Sequence, residues 1–193
     1  MRLLVAIIFI LACGSTAAHA EYSFNEKTEY YSINQPDSGK LLSSISRLIK
    51  DDCETKYRVF ACTTASHTIT YDPKKVGMGI CRIGNLKLIT NVVYRIPVWK
   101  HKKEASPEVQ QQWNALFKHS IVHEKKHGEI KSKHMKIAYK KLIRLEARCS
   151  RIKREANDII ERAYFKIRRD NKRLDSRENH SPSKFPNNDV SHQ

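Results

Sequence analysis

The sequence predicts an α+β fold: a small, mainly antiparallel sheet packed on one long helix and stapled by disulfides. Three observations carry this expectation. Residues 21 to about 100 are rich in β-branched and aromatic residues separated by turn signals. From Ser106 onward, apolar residues and histidines recur at alternating spacings of three and four. Cys53, Cys62, Cys81 and Cys149 are spread across both halves, an even set that suits cross-linking.

Glu29-Tyr30-Tyr31-Ser32-Ile33-Asn34 has strand chemistry and runs into the turn-forming Gln35-Pro36-Asp37-Ser38-Gly39. Leu41 to Ile49 has helical spacing and predicts a short helix. Tyr57 to Thr64 and His67 to Tyr71 read as strands, with Asp72-Pro73 marking a turn before Gly77-Met78-Gly79. Ile80 to Ile83 and Leu86 to Ile96 complete the sheet around a turn at Gly84-Asn85, and Pro97-Val98-Trp99 closes the region. Ser106 is then a good N-cap, Pro107 is favoured at the first helical position, and Glu108 complements the helix dipole. Val109, Trp113, Leu116, Ser120, His123, His127, Ile130, His134 and Ile137 form the stripe expected to bury against the sheet. The helical pattern runs to about Arg148-Cys149, and a second stretch covers roughly Arg151 to Lys172. From Ser176 onward the chain turns polar.

Ahead of the sheet lies a targeting segment. Met1-Arg2 precedes the apolar run Leu3 to Ala12, and small residues lead to Ala18-His19-Ala20, the pattern of a secretory signal peptide cleaved after Ala20. Cys13 is the alternative, a lipoprotein cleavage site, which Leu11 and the short apolar run fit poorly. The expected organisation is a signal peptide over 1–20, a single domain over 21–181 and a polar tail over 182–193. No stretch of the mature chain approaches the about 20 apolar residues that span a bilayer. Export to a periplasmic or extracellular setting follows, and in that oxidising setting the four cysteines are expected as disulfides, Cys53–Cys62 and Cys81–Cys149 being the favoured pairing of three.

The formal net charge is +16. Between Lys100 and Arg173 stand 22 Lys/Arg against 9 Asp/Glu, so the helical half carries most of the excess. A solvated helix face is the plain reading; attraction to lipopolysaccharide or an acidic envelope polymer is the sharper one. Nucleic acid is set aside, since the chain is expected to be exported and carries no nucleic-acid-binding signature.

On the long helix, His123-Glu124-Lys125-Lys126-His127 spells H-E-x-x-H, which makes the helix one of the zincin type. Residues i and i+4 project from one face, so two imidazoles can share one Zn²⁺. Glu124 follows the first ligand, where its carboxylate can take a proton from an attacking water. A catalytic zinc site needs a third protein ligand. His134 lies about 10 Å further along an unbroken helix, too far for the same ion, and His119 has the same difficulty. Ile130 and Lys133 stand where a metzincin would have Gly and His, which excludes that family. Glu146 and Glu155 are possible ligands from a following helix.

The chain resembles a family of bacterial secreted proteins of uncharacterised function described as predicted zinc-dependent proteases. Tyr30-Tyr31-Ser32-Ile33, Pro97-Val98-Trp99, Trp113 ahead of H-E-x-x-H, and Cys149 carry the resemblance, over roughly residues 28 to 181. The family ends in Tyr-Asp-x-x-Thr-x-His-Gly, where this chain has Leu174-Asp175-Ser176-Arg177-Glu178-Asn179-His180-Ser181. Asp175 and His180 keep their places. The resemblance thus implies His180 as third zinc ligand, with Asp175 orienting a ligand or competing for that role. It also implies hydrolysis of a peptide or protein substrate, with Glu124 as general base.

Overall fold

A computed structural model describes residues 20–41 and 60–178. All but the last residue of the expected signal peptide, most of the Leu41–Ile49 helix, Cys53 and His180 lie outside the described residues. Strand β1 (Glu21–Ile33) is followed by a 3-10 turn at Ser38–Lys40, then by β2 (Cys62–Gly77) and β3 (Ile80–Trp99). Helix α1 (Pro107–Leu142), the short strand β4 (Glu146–Arg148) and helix α2 (Ile152–Glu178) complete the order. The α+β expectation holds: a four-stranded sheet packs against two long helices.

β3 is the spine. It pairs antiparallel with β2 and β4 and parallel with β1, so the sheet is mixed. The segments expected as separate strands are continuous. At Gly84-Asn85 the chain does not reverse; Asn85 takes φ 47° and the register shifts opposite, between Thr70 and Asp72. Asn85 donates to Asp72 Oδ2 at 2.9 Å and accepts from Lys74 Nζ at 3.2 Å, which fixes an irregularity inside the ladder in place of a turn. The reversal falls at Met78-Gly79, where Gly79 supplies φ 71°. Beyond the irregularity the even-numbered residues of β3 face inward, Leu86, Leu88, Thr90, Val92, Tyr94 and Ile96 all being buried.

α1 starts as its sequence dictates, with Ser106 Oγ accepting from the Val109 amide and Pro107 in the first turn. It stops at Leu142, earlier than the helical pattern suggested, because residues 146–148 join the edge of β3. Cys149 N donates to Gly79 O at 2.8 Å, and the Cys81–Cys149 disulfide closes the junction. Cys62 is also disulfide-bonded. Among the described residues no helix is long and apolar enough to cross a membrane, and the disulfides fit an oxidising compartment outside the cytoplasm.

Apolar packing divides along α1. Trp113 joins Ile33, Phe60, Tyr94, Ile96 and Trp99 near its start. Met135, Ala138 and Leu142 join Leu88, Cys81 and the α2 residues Ile152, Ala156, Ala163 and Ile167 near its end. The intervening turns of α1 bury Ser120, His123, Glu124, His127, Gly128, Lys131 and His134. Burying polar groups without partners costs several kcal/mol each, so that stretch has to be organised by specific contacts.

Candidate metal centre

α2 buries Ile152, Ala156, Ala163, Ile167 and Leu174, spaced by four and seven, and lays this stripe against α1. The contacts run antiparallel: His134 meets Asp170, His127 meets Asn171 and Asp175, and His123 meets Asp175 and Glu178. Asn171, Asp175 and Glu178 stand at i, i+4 and i+7, one face of α2 turned to one face of α1.

Three donor atoms converge there. His123 Nε2 and His127 Nε2 are 3.0 Å apart, and Asp175 Oδ1 lies 3.3 Å from the first and 2.9 Å from the second. The opposite ring nitrogens are held from behind. His123 Nδ1 is 3.0 Å from Glu178 Oε2, and Glu178 Oε1 is 2.6 Å from Lys126 Nζ. The bond from the Lys126 ammonium, seconded by His123, holds the Glu178 carboxyl down at about 2. Glu178 is therefore an acceptor only, and His123 must carry its proton on Nδ1, leaving the Nε2 lone pair aimed at the cluster. His127 Nδ1 faces Asn171 Oδ1 at 3.0 Å in the same manner. Burial lowers the His127 pKa, against the pull of Asn171 and Asp175, so its ring is neutral at neutral pH and ready to ligate. This cluster can hold a metal ion.

Beside the cluster, Glu124 is 2% exposed. Thr63 Oγ1 on β2 donates to Glu124 Oε2 at 2.6 Å. Burial pushes the Glu124 carboxyl up to about 7, with the Thr63 bond and the Lys131 charge opposing and Asp175 adding to the rise. Gly128 follows the second histidine, and an added Cβ would come within 2.0 Å of Tyr94 Oη, so the glycine is what admits Tyr94 to the helix. Tyr94 in turn donates to Glu26.

His123, His127 and Asp175 are brought together, with Glu124 one residue away on the same helix. Asp175, expected either to orient a ligand or to take its place, has Oδ1 among the converging atoms. Glu146 is an exposed strand residue and Glu155 pairs with Arg151 at 3.6 Å, so neither joins the cluster. His134 is bound to Asp170 at 2.8 Å, a bond that holds the Asp170 carboxyl below the usual range. Asn171, Glu178, Thr63 and Lys131 had gone unnoticed. Lys131 lies four residues after His127 but outside the stripe drawn from Val109 to Ile137, and the sequence carries no signal for the other three.

A family model described as "Bacterial protein of unknown function (DUF922)" matches residues 28–181. No curated protein and no solved structure matches the chain.

Proposed function

This chain belongs to DUF922, a bacterial family of unknown function, and from its own side chains we propose that it is an exported zinc-dependent peptidase. The observation that carries the reading is the convergence of His123 Nε2, His127 Nε2 and Asp175 Oδ1 on one point beside Glu124. A tetrahedral ion with bonds of about 2.0–2.1 Å has ligand–ligand edges of about 3.3 Å. Separations of 3.0, 3.3 and 2.9 Å make a slightly compressed face of such a tetrahedron. Three acceptor atoms this close repel one another unless a cation offsets them, and two imidazoles with one carboxylate suit zinc. The bonds from Glu178 and Asn171 fix the tautomers and ring planes, as expected behind metal-binding histidines.

Zinc, when bound, supplies Lewis acidity and makes water a competent nucleophile at neutral pH. Glu124 moves the proton. With Oε2 engaged by Thr63, Oε1 accepts a proton from the water whose oxygen attacks the carbonyl carbon, while the C=O π pair passes to the carbonyl oxygen. When the C–N bond breaks, Glu124 returns that proton to the leaving nitrogen. A carboxyl held near 7 is well matched to both transfers. Asp175, 38% exposed at its side chain, marks the side from which a peptide reaches the buried histidines.

The test is Glu124→Gln, measured for zinc content and for peptide hydrolysis against a substrate library. One zinc per chain with about a 10²-fold or greater loss of hydrolysis supports the reading. Turnover at the wild-type rate refutes the role given to Glu124. A second reading, non-catalytic binding to lipopolysaccharide or an acidic envelope polymer, is favoured by the groove between α1 and α2 lined by Lys133, Arg169, Lys172, Arg173 and Arg177. Salt-sensitive binding to such polymers that persists after the zinc site is removed would establish it.

A further inference from the structure

The hairpin that joins β2 to β3 carries apolar side chains into solvent at its tip. Met78 is 100% exposed, Val76 45% and Ile80 37%, three large apolar residues within five positions. The backbone puts them there. Lys75 pairs with Cys81 and Gly77 with Ile80, so Val76 is the extra residue of a bulge, and Met78-Gly79 makes the reversal. The tip is also pinned. The Cys149 amide donates to Gly79 O at 2.8 Å, Ile80 pairs with Arg148, and the Cys81–Cys149 bond lies just behind. Apolar groups held together in water contribute little to the fold and mark a contact surface. The charges around them select the partner. From residue 73 to 83 the hairpin carries Lys74, Lys75 and Arg82 and no acidic residue. Beside it, the stretch 144–155 exposes Arg144, Arg148, Arg151, Lys153 and Arg154 against Glu146 and Glu155. A second copy would bring the same charges to the same place and be repelled. An anionic bilayer offers phosphates to the cations and hydrocarbon to the tip.

We propose that the β2–β3 tip seats this protein on an anionic phospholipid surface. Val76, Met78 and Ile80 enter the boundary between headgroups and acyl chains, while Lys75, Arg82 and Arg148 meet the lipid phosphates. A strand rises about 3.3 Å per residue, so Met78 reaches up to about 10 Å past the disulfide. Apolar faces of surface-bound segments are buried to about 5–10 Å, which this reach matches. The contact is independent of the peptidase reaction. It adjoins the start of α2, whereas Asp175 lies about 35 Å further along that helix than Ile152, at 1.5 Å per residue. The candidate metal centre thus stands at the other end of α2 from the surface contact.

The processed chain, purified after export, is floated with vesicles of phosphatidylglycerol and phosphatidylcholine. Beside it runs a variant carrying Val76→Ser and Met78→Ser, which keeps every charge. The expected result is wild-type binding to these vesicles that falls by about 10-fold or more in the double variant. Binding should also weaken in high salt and on phosphatidylcholine alone. Met78→Trp tests the seating whatever the double variant's stability: its emission should shift to the blue on the vesicles and be quenched by nitroxide-labelled lipid. Equal binding by the double variant overturns the proposal, because adhesion would then be by charge alone, through surfaces such as the groove of Lys172 and Arg173. Absence of wild-type binding overturns it, as does a Met78→Trp emission that the vesicles leave unchanged. A concentration-dependent dimer that the double variant loses overturns it too, by showing that a second copy covers the tip.

Discussion

Asp175→Ala separates a three-ligand centre from a pair of histidines. Structural zinc sites bind with about 10–16 kcal/mol over four ligands, about 3 kcal/mol for each. One ligand fewer then weakens affinity by about 10²-fold, at 1.4 kcal/mol per factor of ten. An ion held only by the folded state stabilises it by RT ln(1 + [L]/Kd), so at saturating zinc the variant loses about 2.7 kcal/mol of the metal's contribution. At about 2–4 °C per kcal/mol for a chain of this size, its melting temperature falls by about 5–11 °C relative to the wild type. With chelator present the order changes: the variant melts at or above the wild type, because one of three converging acceptors is gone. Competition against a chromogenic chelator gives the affinity, and thermal melts with and without zinc give the linkage. His180→Ala in the full chain is the control, and it should hold zinc as the wild type does. If Asp175→Ala keeps wild-type affinity while His180→Ala loses it, the third ligand lies beyond α2 and the donor set proposed here is wrong.

Gly128→Ala should destabilise by about 1–3 kcal/mol through its clash with the Tyr94 hydroxyl, and adding Tyr94→Phe should recover part of that loss, since the hydroxyl is the nearest atom; additive chemical-denaturation midpoints would refute the contact. Replacing both Cys81 and Cys149 by Ala should cost about 2–5 kcal/mol, because the bond closes a separation of 68 residues; an unchanged denaturation midpoint would contradict this. Zinc affinity should hold steady from pH 8 to about 6.5 and fall below that, because burial depresses the His127 pKa and protons compete for its Nε2 only at lower pH. Isothermal titration across that range tests it, and a steep loss between pH 8 and 7 would mean that His127 is charged when free of metal.

How much of this could be read beforehand depended on how local each feature is. His123, Glu124 and His127 were legible because five consecutive residues on a helix fix their own geometry. Compartment and count called for disulfides but left three pairings open, and the favoured Cys81–Cys149 bond is the one the structure holds. Asp175 was reached only through a resemblance, because the register of α2 against α1 is set by packing far apart in sequence, and for the same reason Asn171 and Glu178 left no signal. The expected end of α2 near Lys172 was too early. The chain from Ser176 onward read as polar tail, but Glu178 within it is polar because it faces His123 and Lys126. The buried stripe on α1 was also drawn too narrowly. Ile137, expected inside, is 39% exposed, while Lys131 and Met135 are buried, because a helix covered by a sheet on one side and another helix on a second has two inner faces. The parallel pairing of β1 with β3 is likewise a long-range choice that no window of residues displays.

The Cys81–Cys149 bond has a consequence for how the centre comes together. His123, Glu124, His127 and Lys131 all lie inside the covalent ring that it closes, whereas Asn171, Asp175 and Glu178 ride on the strand of chain that leaves it. Half of the site is thus tethered to the sheet whatever α2 does. The other half arrives only when α2 docks along its full length, since its metal-facing residues belong to its last two turns. Metal capture and the seating of α2 are then one event. An exported chain that oxidises before it meets zinc would already hold two imidazoles at the right spacing, and the ion would act as the clasp that draws the last helix down.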